Sequence, residues 1–151
     1  MSAPPSSLPV VLLVEDNKML LDVLLTILPR LAPYQFIGVP DGVTGLEQCY
    51  ALRPVCIIVD IMMPGLNGYQ LARALRGDAE TASIPLIILS ALAQEQEQFA
   101  GLAAGADQYL IKPVTPQLLV AAIEQAIAIS EVERAEHWQA LAATMPADEG
   151  E

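Results

Sequence analysis

The sequence predicts an α/β domain with a mostly parallel sheet, and three observations carry that expectation. Five short strand-like runs alternate with five segments of helical periodicity, the pattern of repeated strand–helix–strand units. The runs at 10–14 (VVLLV) and 55–59 (VCIIV) are apolar throughout, as strands covered on both faces must be. Pro, Gly, Asp and Asn punctuate the short connections between them. Right-handed crossovers then set helices on both faces of the sheet.

Taken in order, residues 1–9 (MSAPPSSLP) are Pro- and Ser-rich and predict a disordered leader. After the first strand, at 10–14, Asp16 or Asn17 can cap a helix running to about Leu28, with Met19, Leu20, Val23, Leu24 and Ile27 at helical spacing. Pro29 and Pro33 close it. A second strand is predicted at 35–39 with Pro40-Asp41-Gly42 as its turn, then a helix over 43–53 stopped by Pro54. The third strand, 55–59, ends at Asp60, and MMPGLNG (62–68) is a loop. A helix at 69–76, a loop at 77–85 and a strand at 86–89 ending at Ser90 follow. The last units are a helix over 93–104 stopped by Gly105, a strand at 107–111 ending at Lys112-Pro113, and a helix from near Pro116, where proline suits the first turn.

Composition narrows the functional classes. Of 151 residues 54% are apolar and 17% charged, which fits a folded single domain and excludes a disordered chain. The net charge of −11, with seven basic residues in all, argues against nucleic-acid binding, because phosphate recognition needs a Lys/Arg surface. No run approaches the roughly 18 apolar residues of a membrane span, and the N-terminus has no basic region of a secretory signal. Cys49 and Cys56 have no His or Cys grouping around them and read as reduced core thiols, so a cytoplasmic location is expected.

Ligands of open parallel sheets bind beyond the carboxyl ends of the strands. The residues predicted there are Glu15 and Asp16, Asp60, Ser90 and Lys112, one of only two lysines in the chain. Each alone has an ordinary role: a helix cap, a solvated turn residue, a strand-end hydroxyl, a surface lysine. Three acids, a hydroxyl and a cation on one rim are not an ordinary set. Two carboxylates ~4 Å apart repel by roughly 4 kcal/mol at an effective dielectric of about 20, so the cluster needs a cation. Oxygen donors without His or Cys favour a hard ion such as Mg²⁺, often completed by phosphate. Lys112 then offers a second positive charge and Ser90 a hydrogen-bond donor to phosphoryl oxygens. Asp60 becomes a candidate nucleophile, because aspartyl phosphates are an established class of covalent intermediate.

Other chemistries lack their parts. There is no G-x-G-x-x-G after the first strand and no G-x-x-x-x-G-K-[ST], which excludes the dinucleotide-binding turn and the P-loop. The single histidine, His137, lies near the C-terminus, away from any Ser–Asp pair. A haloacid-dehalogenase-type phosphatase carries a second Asp two positions after its nucleophile, and here that position is Met62.

Four motifs, VVLLVEDN (10–17), IIVDIMMPGLNG (57–68), LIILSA (86–91) and GADQYLIKPV (105–114), closely resemble the receiver domain of two-component response regulators, over about 10–129 and in the family's order. The resemblance implies a flavodoxin-like three-layer sandwich with strand order 2-1-3-4-5 and five flanking helices. It implies that Asp60 accepts the phosphoryl group and that Glu15, Asp16, Asp60 and the Met62 carbonyl hold Mg²⁺. Ser90 and Tyr109 would then be the switch pair, and Lys112 the phosphate-binding lysine before a cis Pro113. The implied partner is a sensor histidine kinase or phosphotransfer protein. Family members with polar residues at the positions of Met62 and Leu92 orient a hydrolytic water, so slow autodephosphorylation is expected here, and no other enzymatic activity.

Beyond Ile129 some 22 residues remain, too few for a winged helix or an enzyme module, which predicts a stand-alone receiver. Residues 130–143 (SEVERAEHWQALAA) have helical spacing and predict an extension, continuing the fifth helix or separate from it. Residues 144–151 predict a disordered acidic tail. The extension packs back on the domain or, through Trp138, forms a homodimer or partner surface. The receiver would signal by a change in contacts with a downstream protein. The alternatives are a phosphorelay intermediate that passes its phosphoryl group to a histidine, and a phosphorylation-independent interaction module.

Overall fold

The computed structural model describes residues 8–129 and, beyond them, Glu136 and Gln139, which are helical and exposed. The expectations for most of the leader, for the acidic tail and for Trp138 lie outside the described residues, as does all but these two positions of the helical extension. Five strands form one parallel sheet: β1 (Val10–Val14), β2 (Gln35–Val39), β3 (Cys56–Val59), β4 (Leu86–Ser90) and β5 (Gln108–Ile111). Their order is β2-β1-β3-β4-β5, as the resemblance implied. Five helices connect and follow them: α1 (Lys18–Ile27), α2 (Gly42–Leu52), α3 (Gly68–Arg76), α4 (Glu95–Ala104) and α5 (Pro116–Ala128).

Why the strand runs are apolar without alternation is visible in the two cores. Leu12, Val14, Ile57, Val59, Leu86 and Ile88 pack with Cys49, Leu71, Leu75 and Ala104, the side covered by α2, α3 and α4. Their chain neighbours Val11, Leu13, Cys56, Ile58, Ile87 and Leu89 pack with Leu21, Leu24, Leu119 and Ile123, the side covered by α1 and α5. Successive side chains leave a strand on opposite faces, so a central strand with both faces covered must be apolar at every position. Each fully buried Leu or Ile contributes about 1.5–3 kcal/mol relative to exposure. Cys49 is fully buried, and burial pushes its thiol up to about 12; neither Cys49 nor Cys56 is in a disulfide.

The helix starts resolve what the sequence left open. Asn17, not Asp16, caps α1: its side chain accepts from the Leu20 amide at 3.1 Å, which leaves the Asp16 carboxylate uncommitted. Asp41 caps α2 through the Thr44 amide, Asn67 and Gln70 form a reciprocal capping box on α3, and Thr115 caps α5. α1 ends at Ile27, and Pro29 enters a 3-10 turn, Leu28–Arg30, where its missing N–H costs nothing. α4 begins at Glu95 rather than at 93, because Gln94 is extended and makes no side-chain cap. β5 begins at Gln108 because the Asp107 carboxylate turns to the Leu86 amide and to Arg76.

The Asp41 cap carries a pH signature. Two hydrogen bonds from Thr44, backbone and hydroxyl, hold its carboxyl below the usual carboxylate range in the folded protein. A depressed folded-state pKa adds stability above the unfolded pKa, and that stability disappears as pH falls through the folded value. Asp41→Ala is therefore expected to lower the melting temperature at pH 7 and Asp41→Asn to preserve most of it, with the wild-type–Ala difference shrinking on acidification. Thermal melts of the three proteins from pH 7 to pH 3 measure this.

Candidate functional site

The rim at the carboxyl ends of the strands is built by backbone that stays in the sheet. The Glu15 amide donates to the Val39 carbonyl at 3.1 Å, the Asp60 amide to the Val14 carbonyl at 3.1 Å, and the Lys112 amide to the Ser90 carbonyl at 2.8 Å. Each functional side chain is thus tied to the neighbouring strand by one further ladder bond. Because β1 and β3 are adjacent, Glu15 and Asp16 come beside Asp60 across 45 and 44 residues of sequence. One carboxylate oxygen from each of the three lies within 4.8 Å of the others.

Glu15 and Asp60 are buried and Asp16 is exposed. The Lys112 ammonium donates to Glu15 Oε1 and to Asp60 Oδ2, both at 2.9 Å. The other Asp60 oxygen accepts from the Met62 amide at 3.1 Å, and Glu15 Oε2 accepts from the Asn17 amide at 3.1 Å. At an effective dielectric of about 20, each contact with the ammonium is worth roughly 6 kcal/mol before desolvation, against roughly 3–4 for the repulsion between two of the acids. One lysine therefore holds Glu15 and Asp60 together but leaves the cluster with two negative charges in excess. Burial raises the Glu15 pKa above its ordinary value, with the Lys112 and Asn17 hydrogen bonds opposing the rise. Burial works to lower the Lys112 pKa, but its hydrogen bonds to the two acids outweigh that and hold it above the ordinary lysine value.

Gly68 brings α3 against this rim. A Cβ there would stand 2.7 Å from the Asp60 carbonyl oxygen and 2.9 Å from the Ile61 Cα, so a larger residue forces the loop away from the backbone of Asp60. Met62 is exposed and, with Ile61, Pro64, Tyr69 and Leu92, lines an open cleft of about 490 Å³ beside Asp60. Ser90 is fully buried and its Oγ accepts from the Leu92 amide at 3.2 Å. The half-buried Tyr109 donates from its hydroxyl to the Leu92 carbonyl at 2.7 Å, beneath the segment that joins β4 to α4. The Lys112–Pro113 bond is cis.

Glu15, Asp16, Asp60, Met62, Ser90 and Lys112 stand on this one rim or on the loops that leave it, while Tyr109 lies within β5 and reaches the β4–α4 segment through its hydroxyl. Two partners escaped sequence reasoning. Tyr69 donates to Glu97, with its oxygen 2.7 Å from the carboxylate and 3.0 Å from the carbonyl, and Gly101 makes room for the Tyr109 ring. The sole signal for the latter was a glycine inside a helical pattern.

A family model, the response regulator receiver domain, matches residues 11–124. The chain belongs to the response regulator receiver domain family. Receiver domains are the signalling modules of two-component systems, phosphorylated on an aspartate and binding Mg²⁺ through acidic residues. Similar curated proteins include the transcriptional regulatory protein CseB of Streptomyces coelicolor, 39% identical over 113 residues, which are 75% of this chain and 47% of that protein. Another is the DNA-binding dual master transcriptional regulator RpaA of Synechocystis, 34% identical over 77% of this chain and 48% of its own length. The chain thus spans about half the length of the curated relatives it matches. Among solved structures, the Francisella response regulator 1452 receiver domain superposes with a TM-score of 0.73 at 29% identity, covering 79% of this chain and 96% of that one.

Removing the shared cation tests the electrostatics. Lys112→Met leaves two buried acids without a counter-charge, at an expected cost of about 2–4 kcal/mol near neutral pH. A carboxyl whose folded pKa is raised loses stability as pH rises from its unfolded value to its folded one. The deficit of the variant should therefore shrink on acidification from pH 7 to pH 5 as Glu15 takes up a proton. Urea unfolding at both pH values measures it.

Proposed function

We propose that this chain is a phospho-accepting receiver domain, taking a phosphoryl group from a phosphohistidine of a sensor kinase or phosphotransfer protein onto Asp60. The carrying observation is the Asp60 carboxylate at the end of β3, bonded to the Lys112 ammonium and beside the Glu15 and Asp16 acids. The donor set fits a hard divalent cation, since it holds three carboxylates, no His or Cys, and two uncompensated negative charges. Glu15, Asp16, Asp60 and the Met62 carbonyl would hold Mg²⁺, and the bound ion would neutralise charge on the transferring group.

An Asp60 oxygen forms the new bond to phosphorus as the phosphorus–nitrogen bond of the donor imidazole breaks, the nitrogen keeping the electron pair. Lys112, already at Asp60 Oδ2, passes to a phosphoryl oxygen and offsets its charge. Ser90 turns its hydroxyl to another phosphoryl oxygen, and Tyr109 follows through the β4–α4 segment. The altered surface, around α4, Tyr109 and α5, signals to a downstream protein. Met62 and Leu92 present apolar side chains at the cleft, where neither can orient an attacking water. The completeness of the acid, hydroxyl and lysine set weighs against a phosphorylation-independent module.

The chain's surplus of acids favours protein partners over direct contact with nucleic acid, and DNA binding in the relatives' names belongs to those longer proteins. Among the described residues no helix is long and apolar enough to cross a membrane, which suits the cytoplasmic location proposed here.

Incubation with acetyl phosphate and Mg²⁺ is expected to add ~80 Da to Asp60 by mass spectrometry and to add nothing to Asp60→Asn; an unmodified Asp60 refutes the reading. Millimolar Mg²⁺ should raise the melting temperature, by about 2.7 kcal/mol of stability at a hundredfold excess over its dissociation constant, and an unmoved curve refutes the metal site. The aspartyl phosphate should persist for minutes or longer, in contrast to receivers whose corresponding residues are polar. Following label loss from purified protein measures the lifetime, and decay within seconds contradicts the role given to Met62 and Leu92.

A further inference from the structure

Met62 is tied to Asp60 by its backbone and faces solvent with its side chain. Its amide donates to Asp60 Oδ1 at 3.1 Å. Its thioether is 61% exposed and lines the open cleft beside Asp60, whereas Met63, next in the chain, is only 6% exposed. The polar side chains of the cleft wall are engaged elsewhere. The Asn67 side-chain oxygen accepts from the Gln70 amide at 2.9 Å, and the Tyr69 hydroxyl donates to the Glu97 carboxylate at 2.7 Å. Pro64 and Leu92 are apolar, and a thioether sulfur is only a weak acceptor. A water beside Asp60 therefore gets no firm hydrogen bond from Met62.

An exposed thioether is open to two-electron oxidation, which turns an apolar side chain into a polar one. With a peroxide, the O–O bond breaks as one oxygen bonds to the Met62 sulfur, and the other oxygen leaves as water. The sulfur is oxidised and the peroxide reduced. The cysteines do not compete: both are fully buried, and burial holds the Cys49 thiol above its ordinary value. Met19, in the first turn of α1, is 78% exposed and open to the same oxidation, but it does not line the cleft. We propose that Met62 is an oxidation site that sets the lifetime of the aspartyl phosphate: as thioether it leaves water unguided, and as sulfoxide it holds the water that hydrolyses the phosphoryl group. This rests on the reading of Asp60 as phosphoacceptor and of the Met62 side chain as a barrier to hydrolysis. In the hydrolysis the water oxygen bonds to phosphorus as the phosphorus–oxygen bond to Asp60 breaks. The carboxylate keeps the electron pair, and both water protons leave on the inorganic phosphate. The sulfoxide oxygen accepts a hydrogen bond from the water and takes no proton. Oxidation leaves the Met62 backbone unchanged, and a thiol-dependent sulfoxide reductase reverses it.

The full chain is treated with hydrogen peroxide and its peptides are weighed for the ~16 Da of a sulfoxide oxygen. Treated and untreated proteins, freed of peroxide, are then labelled with acetyl phosphate and Mg²⁺, and label loss is followed. Met62 should gain oxygen before Met63. The label lifetime should fall about tenfold, the effect of one hydrogen bond to the attacking water, and methionine sulfoxide reductase should restore it. Met62→Leu, compared with itself before and after peroxide, should not respond, whereas Met19→Leu should respond as the unmodified chain does. Met62→Gln, with an amide oxygen in place of the thioether, should lose its label fast without any peroxide. An unmoved lifetime in protein fully oxidised at Met62 overturns the proposal, as does an equal response in Met62→Leu. If the untreated chain takes no label, the phosphoacceptor reading fails first; if it takes label and loses it within seconds, the barrier role of Met62 fails, and the proposal falls with either.

Discussion

A single ammonium shared by two buried carboxylates is the contact that the functional face is arranged around. Glu15 and Asp60 are each almost fully desolvated, and Lys112 reaches both at 2.9 Å. Removing water from a carboxylate costs several kcal/mol, so the acids can be held in this geometry because the cation is there and because backbone amides take their other oxygens. The balance is incomplete, since the exposed Asp16 brings a third charge that Lys112 does not meet. A site with this residual charge is poised for one more cation and for an anionic group that brings its own oxygens. The chemistry proposed for Asp60 follows from that deficit.

The rest of the structure serves to keep the three elements of that contact from moving. Parallel strands end in register, and the extra ladder bonds at Glu15, Asp60 and Lys112 carry the sheet one residue into the site. Two cores, one on each face, hold the strands from both sides. Gly68 lets α3 close against the Asp60 backbone. At the β4–α4 segment the ties are neutral hydrogen bonds to the Leu92 backbone, whose amide donates to Ser90 Oγ and whose carbonyl accepts from the Tyr109 hydroxyl. Fixed charge on one side and neutral hydrogen bonds on the other suit the phosphorylation-dependent switch proposed for this chain.

Much of this was legible in the chain before its structure. Runs such as VVLLV and VCIIV are long enough to be strands and too apolar to have a wet face, so the doubly covered sheet followed from them. Glu15, Asp16, Asp60, Ser90 and Lys112 were legible as rim residues because each stands where an apolar run ends, where only a rim or a turn can be. Helix starts were less so. Asp16 and Asn17 are both good caps, and which one caps α1 was decided by Asn17 reaching the Leu20 amide. The Tyr69–Glu97 bond spans 28 residues and joins two helix starts, and neither residue breaks a local pattern.

By itself the sequence determined the alternation of strands and helices, the faces they bury and the residue types at the strand ends, because those depend on periodicity and on local turn chemistry. Only the tertiary structure decided which of those residues meet. The Glu15–Lys112 contact crosses 97 residues and exists because β1 and β3 are neighbours and β5 lies two strands beyond. Strand order is set by the packing of both helical layers at once, a property of the whole chain that no local window of sequence contains. The donors and acceptors around Tyr109 were likewise decided by packing, since a hydroxyl takes its partner from whatever the fold brings within 3 Å.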